Sequence, residues 1–200
     1  MTADGNFFEH ACFISYKHPP KRTTDRHFYR EFVVALQERL DYYLPTDIKT
    51  FLDEDADPGA SYPNELSQRL CRSVCFVAVL TPEYPDSSWC RAEWNAMTGF
   101  ETKRLGPGQL GLVIPVVLRG DVRQWEALYK RKPVDLRVNV PSQLKSVKKS
   151  GAIKQIAEII AQFVAKVGDP CADCRSFRLV IAQDVIAPAP ALRDPDPLAG

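Results

Sequence analysis

No stretch of this chain approaches the ~20 consecutive apolar residues that a membrane-spanning helix needs. The segment 1-MTADGNFFEH-10 has no basic patch followed by an apolar run, so no secretory leader is read there. An excess of charge of one sign is also missing: 26 Lys and Arg stand against 25 Asp and Glu, for a net charge of +1. Nothing global therefore favours nucleic acid or an anionic membrane as a partner. The local basic runs 130-KRK-132 and 145-KSVKK-149 read as solvated faces. Histidine is scarce. His10, His18 and His27 lack metal-ligand spacing, and no metal is expected. The chain has no GxxxxGK[ST] phosphate loop, no GxGxxG after its first strand and no GxSxG elbow.

Without a leader, the chain is expected in a reducing cytoplasm, with its six cysteines mostly free. Cys12 and Cys75 fall in apolar runs and read as small core residues, and Cys71 lies on a helix. The pair in 171-CADC-174 has no second pair with ligand spacing, so a local turn is preferred over a zinc half-site.

What is present is a regular alternation of elements. The run 11-ACFISY-16 predicts a buried strand. After a polar loop, with Asp25 as the expected cap, 26–44 carries Phe28, Phe32, Leu36 and Leu40 at helical spacing. The pattern continues with a strand over 47–52, an acidic loop 53-DEDADPGASY-62, and a helix opening at Pro63. A third strand covers 74-VCFVAVLT-81. A helix around 88-SWCRAEWNAMTGF-100 follows, capped by Ser87 or Ser88. The fourth strand, 112-LVIPVVL-118, contains Pro115, which points to an irregular strand or one near an edge. Residues 119–150 are read as a short helix near Trp125 and a short strand within 134–140. A final helix spans 152–167. The chain divides into a lead (1–9), one domain (10–168), an extension (169–186) and a Pro/Ala-rich tail or linker (187–200).

Four alternations of continuous apolar strands with helices describe an α/β fold, a parallel sheet covered on both faces. Ligands of such sheets sit beyond the carboxyl ends of the strands. The segments to inspect are therefore 15-SYKH-18, 53-DEDADPG-59, 81-TPEY-84 and the start of the helix after it. A phosphoacceptor receiver would need acids after strand one and an Asp after strand three, which these segments lack.

Taken in order, 12-CFISY-16, 53-DEDADPG-59 and 88-SWCRAEW-94 resemble the signature segments of Toll/interleukin-1 receptor (TIR) domains, over roughly residues 10–165. The resemblance implies a flavodoxin-like three-layer sandwich with a parallel five-stranded sheet of order 2-1-3-4-5. The family splits into scaffolds and enzymes that cleave the nicotinamide–ribose bond of NAD+. The enzymes carry a glutamate four residues after a tryptophan on the helix following strand three, matched here by Glu93 and Trp89. It further implies contacts to NAD+ from Phe13, Ser15, Tyr16, Lys17, Asp57 and Gly59, while the arginines often found near His18 are missing. Asp53, Glu54, Asp55, Asp57, Pro58 and Gly59 match the family's BB loop, which also serves head-to-tail contact between TIR units.

One carboxylate suits that chemistry. A glycosidase acting on an O-glycoside needs a second carboxyl to protonate the leaving oxygen. Nicotinamide departs from NAD+ as a neutral base and needs no acid. Glu93 would then hold the ribose hydroxyls and stabilise the developing oxocarbenium charge. Positions i and i+4 share a helix face, so Trp89 and Glu93 can look into one cleft. The plainer reading makes Glu93 a solvated helix acid and Trp89 a packing anchor. Cys90 reads as an inward-packing residue rather than a nucleophile.

The expectation is thus an NAD+ glycohydrolase that needs no cofactor and takes NAD+ as substrate. It would act in a defence or cell-death system, activated by self-association and linked to a fused or separate sensor. The alternatives are a TIR scaffold that only oligomerises and a sensor that binds NAD+ without cleaving it.

Overall fold

In the computed structural model, which describes residues 8–17, 24–44, 49–52, 62–137, 151–167, 174 and 176–180, the run around 11-ACFISY-16 forms the second strand of a five-stranded sheet. This strand, β1 (His10–Tyr16), is followed by α1 (Thr24–Tyr43), β2 (Lys49–Leu52), α2 (Tyr62–Cys71), β3 (Ser73–Leu80) and α3 (Ser88–Leu105). Then come β4 (Val113–Val117), α4 (Val122–Tyr129), β5 (Val134–Asp135) and α5 (Gly151–Lys166). The strand order is β2-β1-β3-β4-β5 and every pairing is parallel, as expected. The register sets Ser15 beside Ala78, and Ala78 beside Pro115.

Side chains alternate across a strand, so each strand feeds two cores. Cys12, Ile14 and Tyr16 pack with Cys75, Val77 and Val79 under α1 and α5. Phe13 packs with Phe76, Ala78 and Leu80 under α2, α3 and α4. The α1 stripe Phe28, Phe32, Leu36 and Leu40 is buried as its spacing requires. Each such side chain stabilises the fold by about 1.5–3 kcal/mol. Residues from Val74 to Leu80 are buried on both faces, which is why that run shows no polar alternation.

Several boundaries differ from expectation. Helix α1 begins at Thr24, so Asp25 lies in its first turn rather than at its cap. Helix α3 extends to Leu105 and ends on Gly106, whose φ of 92° only glycine adopts readily. The last strand is just Val134–Asp135; residues 138–140 lie outside the described residues. Pro115 fits β4 for a specific reason. Leu118 donates its N–H to Leu80 of β3, while Val117 accepts from Leu136 on the other side. Alternation turns the nitrogen of Pro115 toward the β5 side, where pairing starts only at Val116.

The cysteines need a correction. Cys71, at the end of α2, and Cys174 are joined by a disulfide across 103 residues, so 174 is no isolated turn. The segment carrying it lies back on the α2–α3 face. The Leu179 N–H donates to Ser67 Oγ at 2.8 Å, and the Phe177 and Phe100 rings meet edge to face at 4.7 Å. Sequence spacing could not show this pairing, because only the folded chain brings the two residues together. Cys12, Cys75 and Cys90 are free and buried.

Candidate active site

The site is built from the carboxyl ends of β1 and β3 and the first turns of α3. Past Leu80 the chain makes a tight turn in which Tyr84 N–H donates to Thr81 O at 2.9 Å and Ser87 N–H to Tyr84 O at 3.2 Å. Arg91 closes the turn from the helix by donating to the Pro85 carbonyl. Ser87 then caps α3, its hydroxyl accepting from the Cys90 amide at 3.3 Å. This folding returns Tyr84 into the core, where it is fully buried.

Helix α3 buries Cys90, Glu93, Trp94, Met97, Phe100 and Glu101, spaced three and four apart. Glu93 is therefore on the core-facing stripe, only 4% exposed, and not a solvated acid. Ser15 Oγ donates to Glu93 Oε2 at 2.5 Å, a charge-assisted bond between residues 78 apart in sequence. The same Ser15 oxygen lies 2.9 Å from the Tyr84 hydroxyl. Burial, with the nearby Glu93 charge, pushes the Cys90 thiol up to about 12. A thiol held neutral is no nucleophile. Burial above all, with the nearby Glu93 charge, likewise holds the Tyr84 phenol well above its usual value.

The predicted residues separate in space. Ser15 meets Glu93 directly. Phe13 lies on the same face two residues deeper and stacks on Phe76 at 6.0 Å, fully buried. Trp89 is half-buried against the α2–α3–α4 core, one turn before Glu93. Lys17 is exposed just past β1, close enough for its charge to act on Cys90. Tyr16 goes elsewhere: strand alternation sends it to the opposite face, 4.2 Å from the Tyr29 ring. His18, and Asp53, Glu54, Asp55, Asp57, Pro58 and Gly59, lie outside the described residues. Within the strand end 81-TPEY-84 the sequence does not distinguish Tyr84, because its orientation depends on the turn that follows.

A second buried carboxylate on α3 has a structural task. Glu101 Oε1 accepts from the amides of Gly111 and Leu112 at 2.7 and 2.8 Å, and Arg131 pairs with both its oxygens. It fixes the entry to β4. A groove of about 410 Å³ nearby, lined by residues such as Ile114, Lys130, Lys132 and Ile159, lies at the amino-terminal end of β4 and β5, away from Glu93. Among the described residues no cluster suited to a metal ion occurs, and no helix is long and apolar enough to cross a membrane.

Comparison with known proteins adds three findings. A family model described as TIR domain matches residues 12–149. No curated protein matches the chain. Among solved structures, the chain is similar to the TIR domains in the activated Roq1 resistosome directly recognizing the pathogen effector XopQ. That likeness has 21% identity and a TM-score of 0.43, and it covers 78% of this chain and 96% of that one.

Proposed function

Because this chain belongs to the TIR domain family, we propose that it is an NAD+ glycohydrolase in which Glu93 is the catalytic carboxylate. The observation that carries the reading is the placement of Glu93. It is buried at the carboxyl end of the sheet, one turn after Trp89, with a hydroxyl donated to one of its oxygens. An ordinary surface glutamate would be solvated.

In the proposed reaction the bond between ribose C1′ and the pyridinium nitrogen breaks. Its electron pair goes to nitrogen, and nicotinamide leaves neutral. The cationic ribosyl centre is stabilised by the Glu93 carboxylate, whose field is strong where water is excluded. Water then adds at C1′ and releases a proton, giving ADP-ribose. An internal or added base in place of water gives a cyclic or base-exchanged product. Trp89 would form a wall of the cleft, Ser15 would underlie Glu93 with Phe13 packed beneath it, and Lys17 would offset a phosphate charge. Tyr16 faces away from Glu93, so any contact it makes with the substrate comes from beyond the end of β1. Asp57 and Gly59 are assigned to the ribose side, and the loop 53–59 to self-association. Assembly would gate the activity in a defence or cell-death pathway.

The test is nicotinamide release from NAD+ by dilute and concentrated protein, with Glu93→Gln alongside. Release that rises more than proportionally with concentration and disappears in the variant is the expected result. Protein shown to be folded and oligomeric that releases none would overturn the enzyme reading and leave a scaffold.

A further inference from the structure

We propose that Tyr84 is a positioning residue: acting through Ser15, its hydroxyl holds the Glu93 carboxylate in the orientation that cleavage requires. The proposal rests on the role of Glu93 given above and adds to it a residue of the β3–α3 turn.

The direction of the hydrogen bonds follows from counting protons. An ionised carboxylate only accepts, so the single Ser15 proton is committed to Glu93. The Ser15 oxygen is then the acceptor in its 2.9 Å contact with Tyr84, and Tyr84 is the donor. Burial keeps the phenol protonated and able to donate. A one-way chain results, from Tyr84 O–H to Ser15 O–H to Glu93 Oε2. Each donor strengthens the next, because a hydroxyl that accepts a hydrogen bond donates a better one.

The three residues come from three separate elements. Ser15 is on β1, whose neighbours β2 and β3 fix its backbone. Tyr84 is locked by its turn and by the edge-on Tyr129 ring at 6.4 Å. Glu93 is on the core-facing stripe of α3, and the Ser15 hydroxyl reaches its Oε2 from β1. Tyr84 and Ser15 thus hold the carboxylate from elements outside its own helix. Preorganising a charge before the transition state forms is the effect that accelerates such a reaction most.

The experiment measures nicotinamide release by wild type, Tyr84→Phe, Ser15→Ala and the double variant at a concentration where the wild type is active. It adds the ¹³C carboxyl resonance of Glu93, assigned with Glu93→Gln. Tyr84→Phe removes one oxygen and keeps the buried ring. It is expected to lower kcat roughly tenfold, with KM changed less than about twofold. Ser15→Ala is expected to lose more, and the double variant no more than Ser15→Ala, because Tyr84 acts only through Ser15. The Glu93 resonance should move in both single variants.

An active wild type, an inactive Glu93→Gln and an unchanged kcat in Tyr84→Phe would sink the proposal while sparing the enzyme reading. So would losses that simply multiply in the double variant. If the wild type releases no nicotinamide, the resonance decides: a shift in Tyr84→Phe keeps Tyr84 as the holder of Glu93, and no shift removes it. If Tyr84→Phe fails to fold, Ser15→Ala must still move both kcat and the resonance.

Discussion

Arg131 donates to both carboxylate oxygens of Glu101, at 3.1 and 2.5 Å, with the two side chains 9% and 1% exposed. The guanidinium also lies 5.7 Å from the centre of the Trp94 ring. Arg131→Met would leave the buried carboxylate without its cation and is expected to cost about 3–5 kcal/mol in urea unfolding. Replacing both residues by apolar ones should not recover that loss, because the amides of Gly111 and Leu112 would be left without their acceptor. A loss under about 1 kcal/mol for Arg131→Met would mean that the pair behaves as if solvated.

The disulfide should be visible both chemically and thermally. Peptide mapping without reductant is expected to recover Cys71 linked to Cys174, and finding Cys71 linked to Cys171 would contradict the assignment. Reduction, or Cys174→Ser, is expected to cost about 2–5 kcal/mol, a fall in Tm of roughly 5–15 °C. Thermal scans with and without a dithiol reductant measure this.

His10 gives a pH dependence of definite sign. Burial, with help from Arg69 and Arg72 and against the pull of Glu9, lowers its pKa from 6.5 to about 4. Between those values the unfolded chain binds a proton that the folded chain refuses. Stability therefore falls as pH drops from about 6.5 to about 4, then levels off as far as this group is concerned. The contribution is about 1–2 kcal/mol, since solvent reaches part of the ring and screens its neighbours. The check is the difference between wild type and His10→Gln in urea midpoints across that range. A constant difference would remove His10 as the cause.

Much of this fold was legible because its patterns are long. Seven residues of β1, eight of β3 and the stripes of α1 and α5 each supply enough apolar positions to fix type and place. With two residues, β5 supplies almost none. At the candidate site, Trp89 and Glu93 could be read together because a helix sets their relation locally. The bond from Ser15 to Glu93 and the one from Ser15 to Tyr84 were not readable, since they join residues 78 and 69 apart. Tyr16 shows the reverse case. Adjacency to Ser15 in sequence grouped the two, and the pleat of the strand separated them.

The link from Cys71 to Cys174 makes the oxidised chain a closed covalent ring with a long arm before Cys71 and a short tail after Cys174. The ring holds β3, α3, β4, α4, β5 and α5, and so carries both Tyr84 and Glu93. Ser15 belongs to the arm, which also provides α1 and nearly all of α2. The arm does not merely lie against the ring: β1 sits between β2 and β3 and adds its strand to the ring's sheet. The Ser15–Glu93 bond thus joins two topologically separate parts of the molecule. Unfolding the oxidised protein detaches the arm while the ring stays closed, and the carboxylate regains its hydroxyl only when the arm lays its strand back along β3.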